Sequence, residues 1–197
     1  MSAQSLPRLV LASTSRYRRE LLARLCIPFE TAAPDVDESP AAGETPSELA
    51  LRLACAKTRA VQAAHPDALI IGCDQVAAVG ATLLNKPGSH DKAAEQLTLM
   101  SGQPVLFYTA LCLLNARTAR QQVVIAPVTV YMRKLTRAQI ERYLHAEHPY
   151  DCAGSARIEG LGITLVAKLA GDDPNALIGL PLIELCEMLR NEGIDLP

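Results

Sequence analysis

Short apolar runs alternate with capped helical segments along the chain, and this alternation constrains the fold more than any other feature. Residues 8–12 form an apolar run that predicts a buried strand, and residues 16–25 follow with leucines at helical spacing. Ser15, between the two, is a natural N-cap. A second buried strand is predicted at residues 68–72. Because strands and helices interleave, we predict a mixed α/β fold.

The other segments carry similarly local signals. Thr45 and Thr136 each open a capping box, which predicts helices reaching about residues 65 and 145, and Ser89 caps a helix over 90–100. The remaining predictions are a loop at 35–43, a hairpin at 76–84, antiparallel strands at 105–114 and 122–132, a strand at 163–169 and a helix at 181–191. The strand at 68–72 then ends at Gly72, so Asp74 is expected just beyond its tip.

Composition and charge restrict the class of protein. The 197 residues are 49% hydrophobic and 20% charged, which favours one globular domain over 1–197, built of two lobes. A formal net charge of −2 argues against nucleic acid or an anionic membrane as the main partner. No apolar run approaches the roughly 18 residues that cross a bilayer, and no signal peptide is recognisable. We therefore expect a cytoplasmic protein.

Six cysteines are scattered along the chain without a C-x-x-C pair, so a cysteine zinc site has little support. The chain is not short and cysteine-dense, as disulfide-stabilised secreted domains are. Buried free thiols are the better interpretation.

The first candidate for chemistry is the segment 13–19, between the first strand and the first helix. A helix N-terminus offers unpaired N–H groups to a phosphate, and the Ser13 hydroxyl and Arg18 guanidinium add charge-assisted donors. An ordinary capped helix with a solvated basic face is the alternative. The loop has neither a Walker lysine pattern nor a G-x-G-x-x-G turn, which disfavours those two nucleotide folds.

Asp74 is the second candidate, because ligands of open α/β sheets gather beyond the carboxyl ends of strands. A carboxylate there could orient or deprotonate water in a metal-assisted hydrolysis. A turn-forming aspartate is the alternative.

Glu38, Lys57 and Lys86 form a third set. Glu38 lies in an acidic loop and could bind magnesium, which takes few protein oxygens together with substrate phosphate. The alternative for each lysine, taken alone, is a solvated surface charge. His145 and His148 could suggest a metal pair, but two surface histidines at a helix end explain them better.

Taken together, these segments resemble the Maf family of nucleotide pyrophosphatases. The matching segments keep the family's order from residue 9 to about 191: 9–15, 18–22, 35–38, 53–57, 71–76, 86–87, 99–102, 152–154 and 171–181. The resemblance implies a mixed, largely antiparallel elongated sheet flanked by helices, with two lobes around a central cleft. It also implies a homodimer that uses a divalent cation, Mg²⁺ or Mn²⁺, to cleave a nucleoside triphosphate into the monophosphate and pyrophosphate.

The resemblance assigns roles to matching positions. It makes Asp74 the general base and Glu38 the metal ligand. The substrate phosphates would be bound by four residues: Ser13, Arg18, Lys57 and Lys86.

Three further positions, Tyr17, Gln75 and Glu159, resemble the branch of the family that prefers 7-methyl-GTP. N7-methylation makes guanine cationic, so an aromatic face gains about 0.5–2 kcal/mol by cation–π attraction. Glu159 could accept hydrogen bonds from the guanine N1–H and amine. The chain departs from that branch in having Tyr17 where tryptophan is usual and Arg16 where proline is common.

Two other functions stay open at this point. One is a dTTP/UTP pyrophosphatase of the same family, against which Tyr17 and Glu159 argue. The other is a non-catalytic nucleotide-binding regulator of septum formation, against which the presence of Asp74 with its charged partners argues.

Overall fold

One continuous sheet of seven strands crosses the part of the chain that the structure describes, residues 7–197 of a computed structural model. The strands are β1 (Leu9–Ala12), β2 (Phe29–Ala32), β3 (Leu69–Val79), β4 (Thr82–Leu84), β5 (Pro104–Asn115), β6 (Arg120–Met132) and β7 (Val166–Ala170). The helices are α1 (Arg16–Ala23), α2 (Pro46–Gln62), α3 (His90–Met100), α4 (Arg137–Glu147), α5 (Pro174–Ile178) and α6 (Leu182–Asn191). Two short 3-10 helices, Ala153–Ser155 and Leu161–Leu165, connect α4 to β7.

The strand order in the sheet is β2-β1-β3-β5-β6-β7, and β4 pairs with β3 outside this path. β1 runs parallel to β2 and β3, whereas every other pair is antiparallel. β5 pairs with β6 along its entire length, which makes this part of the sheet long. The predicted mixed, largely antiparallel sheet with flanking helices is confirmed.

Local capping signals located the helix starts correctly. The side chains of Ser15, Thr45, Ser89 and Thr136 each accept a hydrogen bond from a backbone N–H in the first turn of the helix that follows. Thr45 and Thr136 also complete the predicted capping boxes. Among residues 7–197, no helix combines the length and apolarity that crossing a membrane requires.

The predicted end of the second strand at Gly72 is wrong. β3 continues to Val79, so Asp74 lies inside the strand rather than beyond its tip. A Cβ at Gly72 would stand 2.2 Å from the carbonyl oxygen of Ala54 on α2. This glycine therefore marks a close approach of helix to strand, not a strand end. The predicted hairpin at 76–84 is confirmed, with Gly80 at its turn.

Two elements were not predicted and one was displaced. β2 has only four residues and takes its strand form by parallel pairing with β1, a contact that a short polar segment does not signal. α5 has five residues, too few for helical periodicity to be recognised. The last strand begins at Val166 rather than 163, because Leu161–Leu165 forms a 3-10 helix.

The hydrophobic core forms two main clusters on the sheet. One contains the start of β3 with β1, α1 and α6, and the other contains the end of β3 with α3 and α4. On β3 itself, Cys73 belongs to the first cluster and Ala77 to the second. Gln75 lies between these two residues on the same face of the strand, whereas Asp74 faces the opposite side of the sheet, towards Lys57 on α2.

The six cysteines are free thiols, as predicted. Their burial was predicted less well, because only Cys73 and Cys112 are buried and Cys26 is exposed. Burial raises the pKa of Cys73 to about 11, so this thiol stays protonated beside the residues described next.

Candidate active site

A single ammonium group joins the two carboxylates that the sequence singled out. The Nζ of Lys57, on α2, lies 2.6 Å from Oδ1 of Asp74 on β3. The same Nζ lies 2.6 Å from Oε1 of Glu38, in the loop between β2 and α2. Lys57 and Asp74 are both buried, whereas Glu38 is exposed. Three distant segments thus converge at one point.

Close packing of α2 on β3 produces this convergence. Gly72 and Asp74 are two residues apart on β3, so they face the same side of the sheet. A Cβ at Gly72 would meet Ala54 O at 2.2 Å and the Thr58 Cγ2 at 2.6 Å. The absence of a side chain at Gly72 therefore lets α2 come close enough for Lys57, next to Thr58, to reach Asp74.

Burial raises the pKa of Asp74, because a low-dielectric surrounding disfavours the charged carboxylate. The charge and hydrogen bond of Lys57 and the charge of Arg18 oppose this shift, and the charge of Glu38 adds to it. The net direction is upward. Asp74 is consequently a stronger base than an exposed aspartate, which suits a group that takes a proton from water.

The hydrogen bond from Lys57 lowers the pKa of Glu38, and the charges of Lys86 and Arg18 lower it further. Glu38 is therefore an ionised, exposed carboxylate within the field of all three cations that were assigned to phosphate binding. Hard divalent cations take one or two carboxylate oxygens and complete their shell with water and phosphate. Glu38, with the Asp74 carboxylate on the same ammonium, fits such an ion.

Ser13 lies at the N-terminal end of α1, as expected. Its side chain is buried, and its Oγ accepts a hydrogen bond from the Ser15 backbone N–H at 3.1 Å. Arg18, in the first turn of α1, donates from Nε to the carbonyl oxygen of Gly179 at 2.9 Å. This bond orients the guanidinium, whose charge acts on both Asp74 and Glu38. Lys86 is exposed in the segment between β4 and α3.

The structure adds residues that sequence reasoning missed. The Gly179 carbonyl oxygen accepts from Arg18 Nε and also from the Cys73 Sγ, at 3.0 Å. Gly179 has φ +125°, a conformation that side chains rarely adopt. Asp173 is buried and accepts from the backbone N–H groups of Asn175 and Ile183, at 2.7 and 2.8 Å, which holds both ends of the segment carrying Gly179. An aspartate before Pro174 is an N-cap signal that could have identified α5.

Arg157 connects Tyr17 and Glu159, two of the residues assigned to base recognition. Its guanidinium carbon lies 5.7 Å from the centre of the Tyr17 ring, and its Nε donates to Glu159 Oε1 at 3.3 Å. A stronger bond to Glu147, at 2.9 Å, anchors Arg157 to α4. The guanidinium of Arg16 also lies over the Tyr17 ring, at 4.7 Å. The structure therefore brings Tyr17 and Glu159 into one neighbourhood.

Gln75 is placed differently from the other two. It follows Asp74 on β3 and so faces the opposite side of the sheet. Its Nε2 donates to Thr109 Oγ1 at 2.9 Å and to the carbonyl oxygens of Ala176 and Leu177 at 3.0 and 3.1 Å. None of these bonds reaches Tyr17 or Glu159, and they tie Gln75 to α5 and β5.

Comparison with known proteins identifies the family of this chain. A protein-family sequence model described as "Maf-like protein" matches residues 8–192. A protein of Methylobacillus flagellatus named 7-methyl-GTP pyrophosphatase is 57% identical over 96% of this chain and 99% of its own. Relatives with the same name from Cupriavidus pinatubonensis and Thiobacillus denitrificans are 54% and 57% identical, over 98% and 96% of this chain and 97% and 94% of theirs. The chain belongs to the Maf family.

Proposed function

We propose that this protein is a nucleoside triphosphate pyrophosphatase that hydrolyses 7-methyl-GTP to the monophosphate and pyrophosphate. The observation that carries the proposal is the buried Asp74, held 2.6 Å from Lys57 within the field of Arg18. Relatives that match nearly the whole chain are named for this reaction.

In the proposed reaction, Asp74 accepts a proton from the water that attacks a phosphorus atom of the substrate. Its raised pKa makes the Asp74 carboxylate a better proton acceptor. The carboxyl group must lose its own proton before it can accept one from water. The triphosphate would lie against four groups: Ser13, Arg18, Lys57 and Lys86. These donors neutralise charge that develops on the phosphate oxygens as the bond breaks.

A divalent cation would be bound by Glu38, with the Asp74 carboxylate nearby. The exposure of Glu38 and its lowered pKa support this role, since a hydrated Mg²⁺ or Mn²⁺ needs an accessible, ionised oxygen ligand. When bound, such an ion supplies further charge neutralisation on the phosphates. Lys57, which bonds to Glu38 here, would then turn to the substrate.

Base recognition is proposed for Tyr17 and Glu159. A ring face and a carboxylate in one neighbourhood suit a purine that is cationic and carries the N1–H and amine donors. Gln75 would act less directly, since its side-chain nitrogen is already bonded within the protein. Only its side-chain oxygen is left to accept a hydrogen bond from the substrate.

The rival functions predict different behaviour. A dTTP/UTP pyrophosphatase would have no use for a carboxylate that accepts from guanine. A non-catalytic regulator would bind nucleotide without turnover and would not need a carboxylate of raised pKa. The proposal includes a cytoplasmic location and the homodimer that the family resemblance implies. Light scattering on the purified protein tests the homodimer, because it measures the mass of the particle in solution.

Pyrophosphate release, measured with Mg²⁺ over 7-methyl-GTP, GTP, dTTP and UTP, tests the proposal. The parent protein should give its highest kcat/KM with 7-methyl-GTP. Asp74→Asn should abolish turnover while retaining triphosphate binding. Asp67→Asn is the matched control, because Asp67 is exposed in the connection between α2 and β3 and should leave activity unchanged. Turnover by Asp74→Asn at the parental rate would exclude Asp74 as the base. A higher kcat/KM with dTTP than with 7-methyl-GTP would exclude 7-methyl-GTP as the preferred substrate.

A further inference from the structure

Three side chains with metal-binding atoms meet between α3 and α4, on a surface that the proposed reaction does not use. They are His90, the first residue of α3, and Glu141 and His145, one turn apart on α4. One ligand atom from each lies within 4.8 Å of the other two. His145 is exposed, and His90 and Glu141 are about 30% exposed, so an ion could enter from solvent.

The carboxylate of Glu141 is divided between two kinds of partner. Its Oε1 contacts the guanidinium of Arg137 at 2.5 Å. Its Oε2 lies 2.7 Å from Nε2 of His90 and 3.9 Å from Nε2 of His145. Two imidazole nitrogens thus converge on one carboxylate oxygen, while the other oxygen is held in place by an arginine.

Tyr150 orients one of these imidazoles from behind. Its hydroxyl lies 3.0 Å from Nδ1 of His90. A hydroxyl can either donate or accept. Tyr150 can therefore donate to Nδ1 when Nε2 carries the proton, and accept from Nδ1–H when Nε2 binds a metal. Metal-bound histidines almost always have such a partner on the second nitrogen.

We propose that His90, Glu141 and His145 form a binding site for a divalent transition-metal ion of the Zn²⁺ type. Two imidazoles and a carboxylate, with one position left to water, are a ligand set that Zn²⁺ adopts in tetrahedral sites. With metal–ligand bonds of about 2.0–2.1 Å, the ligand atoms of such a site stand about 3.3 Å apart. The distances from Glu141 Oε2 to the Nε2 atoms of His90 and His145, 2.7 and 3.9 Å, lie on either side of this spacing. Small side-chain rotations would therefore bring the ligand atoms to it. Imidazole nitrogen disfavours Mg²⁺, which separates this site from the one at Glu38.

The position of the site gives the ion a structural effect. His90 lies four residues after Lys86, and the backbone N–H of Gly88 between them donates to Tyr150 O at 3.0 Å. Two residues beyond Tyr150, the Sγ of Cys152 lies 3.8 Å from the Tyr17 hydroxyl. An ion that joins α3 to α4 would therefore also restrain two segments that border the proposed nucleotide site.

Sequence reasoning linked His145 to His148 and favoured two ordinary surface histidines. In the structure, the His145 ring packs against His90 instead, with centroids 5.0 Å apart and planes tilted by 35°, and His148 is the C-cap of α4 with φ +49°. The neighbour of His145 comes from a different helix, so spacing along the chain could not identify it.

Titration calorimetry of the metal-free full chain with Zn²⁺, in a large excess of Mg²⁺, tests the site. We expect one equivalent of Zn²⁺ to bind in the parent protein. His145→Ala and Glu141→Gln should each weaken this binding at least about tenfold, and Tyr150→Phe about 10- to 100-fold. His145 is exposed, so its replacement leaves the core intact. Glu187→Gln is the matched control for Glu141→Gln, because Glu187 is 69% exposed on α6, outside α3 and α4, and this variant should bind Zn²⁺ as the parent does.

Cysteines are the competing ligands, and Co²⁺ distinguishes them. Substitution of Co²⁺ should give a visible spectrum without the ultraviolet charge-transfer bands that thiolate ligands produce. Unchanged Zn²⁺ affinity in both His145→Ala and Glu141→Gln would overturn the proposal, as would thiolate bands with Co²⁺. The binding measurement needs no enzyme activity, so it stands or falls apart from the proposed pyrophosphatase function.

Discussion

The Nζ of Lys57 lies 2.6 Å from Oδ1 of Asp74, and the two side chains are only 8% and 10% exposed. An ion pair this deeply buried adds little net stability, because removing both charges from water offsets their attraction. Its importance lies in placing a desolvated carboxylate beside a cation that can also contact phosphate. Because the desolvation of both charges reduces the stability of the fold, the Lys57–Asp74 pair is better explained by its chemistry than by its contribution to stability.

Replacing Lys57 should raise the pKa of Asp74. Burial already raises it, and Lys57→Met removes the largest opposing influence. The pKa of such a carboxyl is higher in the folded than in the unfolded state. Compared with neutral pH, it therefore stabilises the fold, and this stabilisation is fully present below the pKa of the unfolded state. That stability is lost as pH rises through the folded pKa. The destabilisation caused by Lys57→Met should therefore grow with pH, towards about 3–5 kcal/mol once Asp74 is ionised.

Carbon NMR of the Asp74 carboxyl, together with urea unfolding across the acidic range, measures this effect. Lys168→Met is the control, because Lys168 is exposed on β7 and should change neither quantity. An Asp74 pKa that is the same in Lys57→Met and in the parent would show that the pair does not control its ionisation.

A methyl group at Gly72 should separate Lys57 from Asp74. The added carbon would overlap Ala54 O at 2.2 Å, so α2 must move away from β3. We expect Gly72→Ala to lose about 1–3 kcal/mol of unfolding free energy by overpacking, and to lose turnover far beyond that. Gly80→Ala is the control: its Cβ meets nothing within 4 Å, but φ +55° costs about 1–2 kcal/mol.

Unfolding in urea and pyrophosphate release would be measured on both glycine variants. Gly80→Ala should lose stability and keep its kcat, whereas Gly72→Ala should lose both. Parental kcat in a folded Gly72→Ala protein would show that the close approach of α2 is not required for the site.

The contrast between Ser15 and Gly72 shows which features sequence could predict. Ser15 acts within four residues, so its cap was predicted with the correct helix start. Gly72 acts on Ala54 and Thr58, on another element, and was therefore mistaken for a strand end. The burial of Lys57 has the same origin, because only the packing of α2 on β3 removes its side chain from water. Taken alone, its sequence context favoured an ordinary surface lysine, and only the family resemblance assigned it to phosphate.

Arg157 should position Glu159 for base recognition. It donates to Glu159 at 3.3 Å and is itself fixed by Glu147 at 2.9 Å. Arg157→Gln should lower the kcat/KM ratio of 7-methyl-GTP over GTP by no more than about fivefold, since partly exposed ion pairs contribute about 0–1 kcal/mol. Glu159→Ala, which removes the acceptor itself, should lower the ratio further.

Arg117→Gln makes the same chemical change on an exposed residue between β5 and β6 and should leave the ratio unchanged. If Arg157→Gln raised the preference for 7-methyl-GTP instead, Arg157 would be competing with the cationic base for Tyr17 and Glu159 rather than positioning the carboxylate.

Tyr17 presents its ring to two guanidinium groups, those of Arg16 at 4.7 Å and Arg157 at 5.7 Å. Both are cations over the aromatic face, so a cationic base that binds to this ring has to take the place of at least one of them. Its hydroxyl accepts a hydrogen bond from Arg16 at 2.7 Å. Ring and hydroxyl can therefore contribute separately, and substitutions can distinguish them.

Tryptophan at position 17 should strengthen the preference for 7-methyl-GTP, because indole is the best aromatic partner for a cation. We expect Tyr17→Trp to raise the kcat/KM ratio of 7-methyl-GTP over GTP several-fold, and Tyr17→Leu to lower it by about tenfold, within the roughly 0.5–2 kcal/mol of such contacts. Tyr17→Phe keeps the ring without the hydroxyl and should stay near the parental ratio. If Tyr17→Leu discriminated as well as Tyr17→Phe, the ring would not contact the methylated base, and the charge of that base would have to be recognised by Glu159 alone.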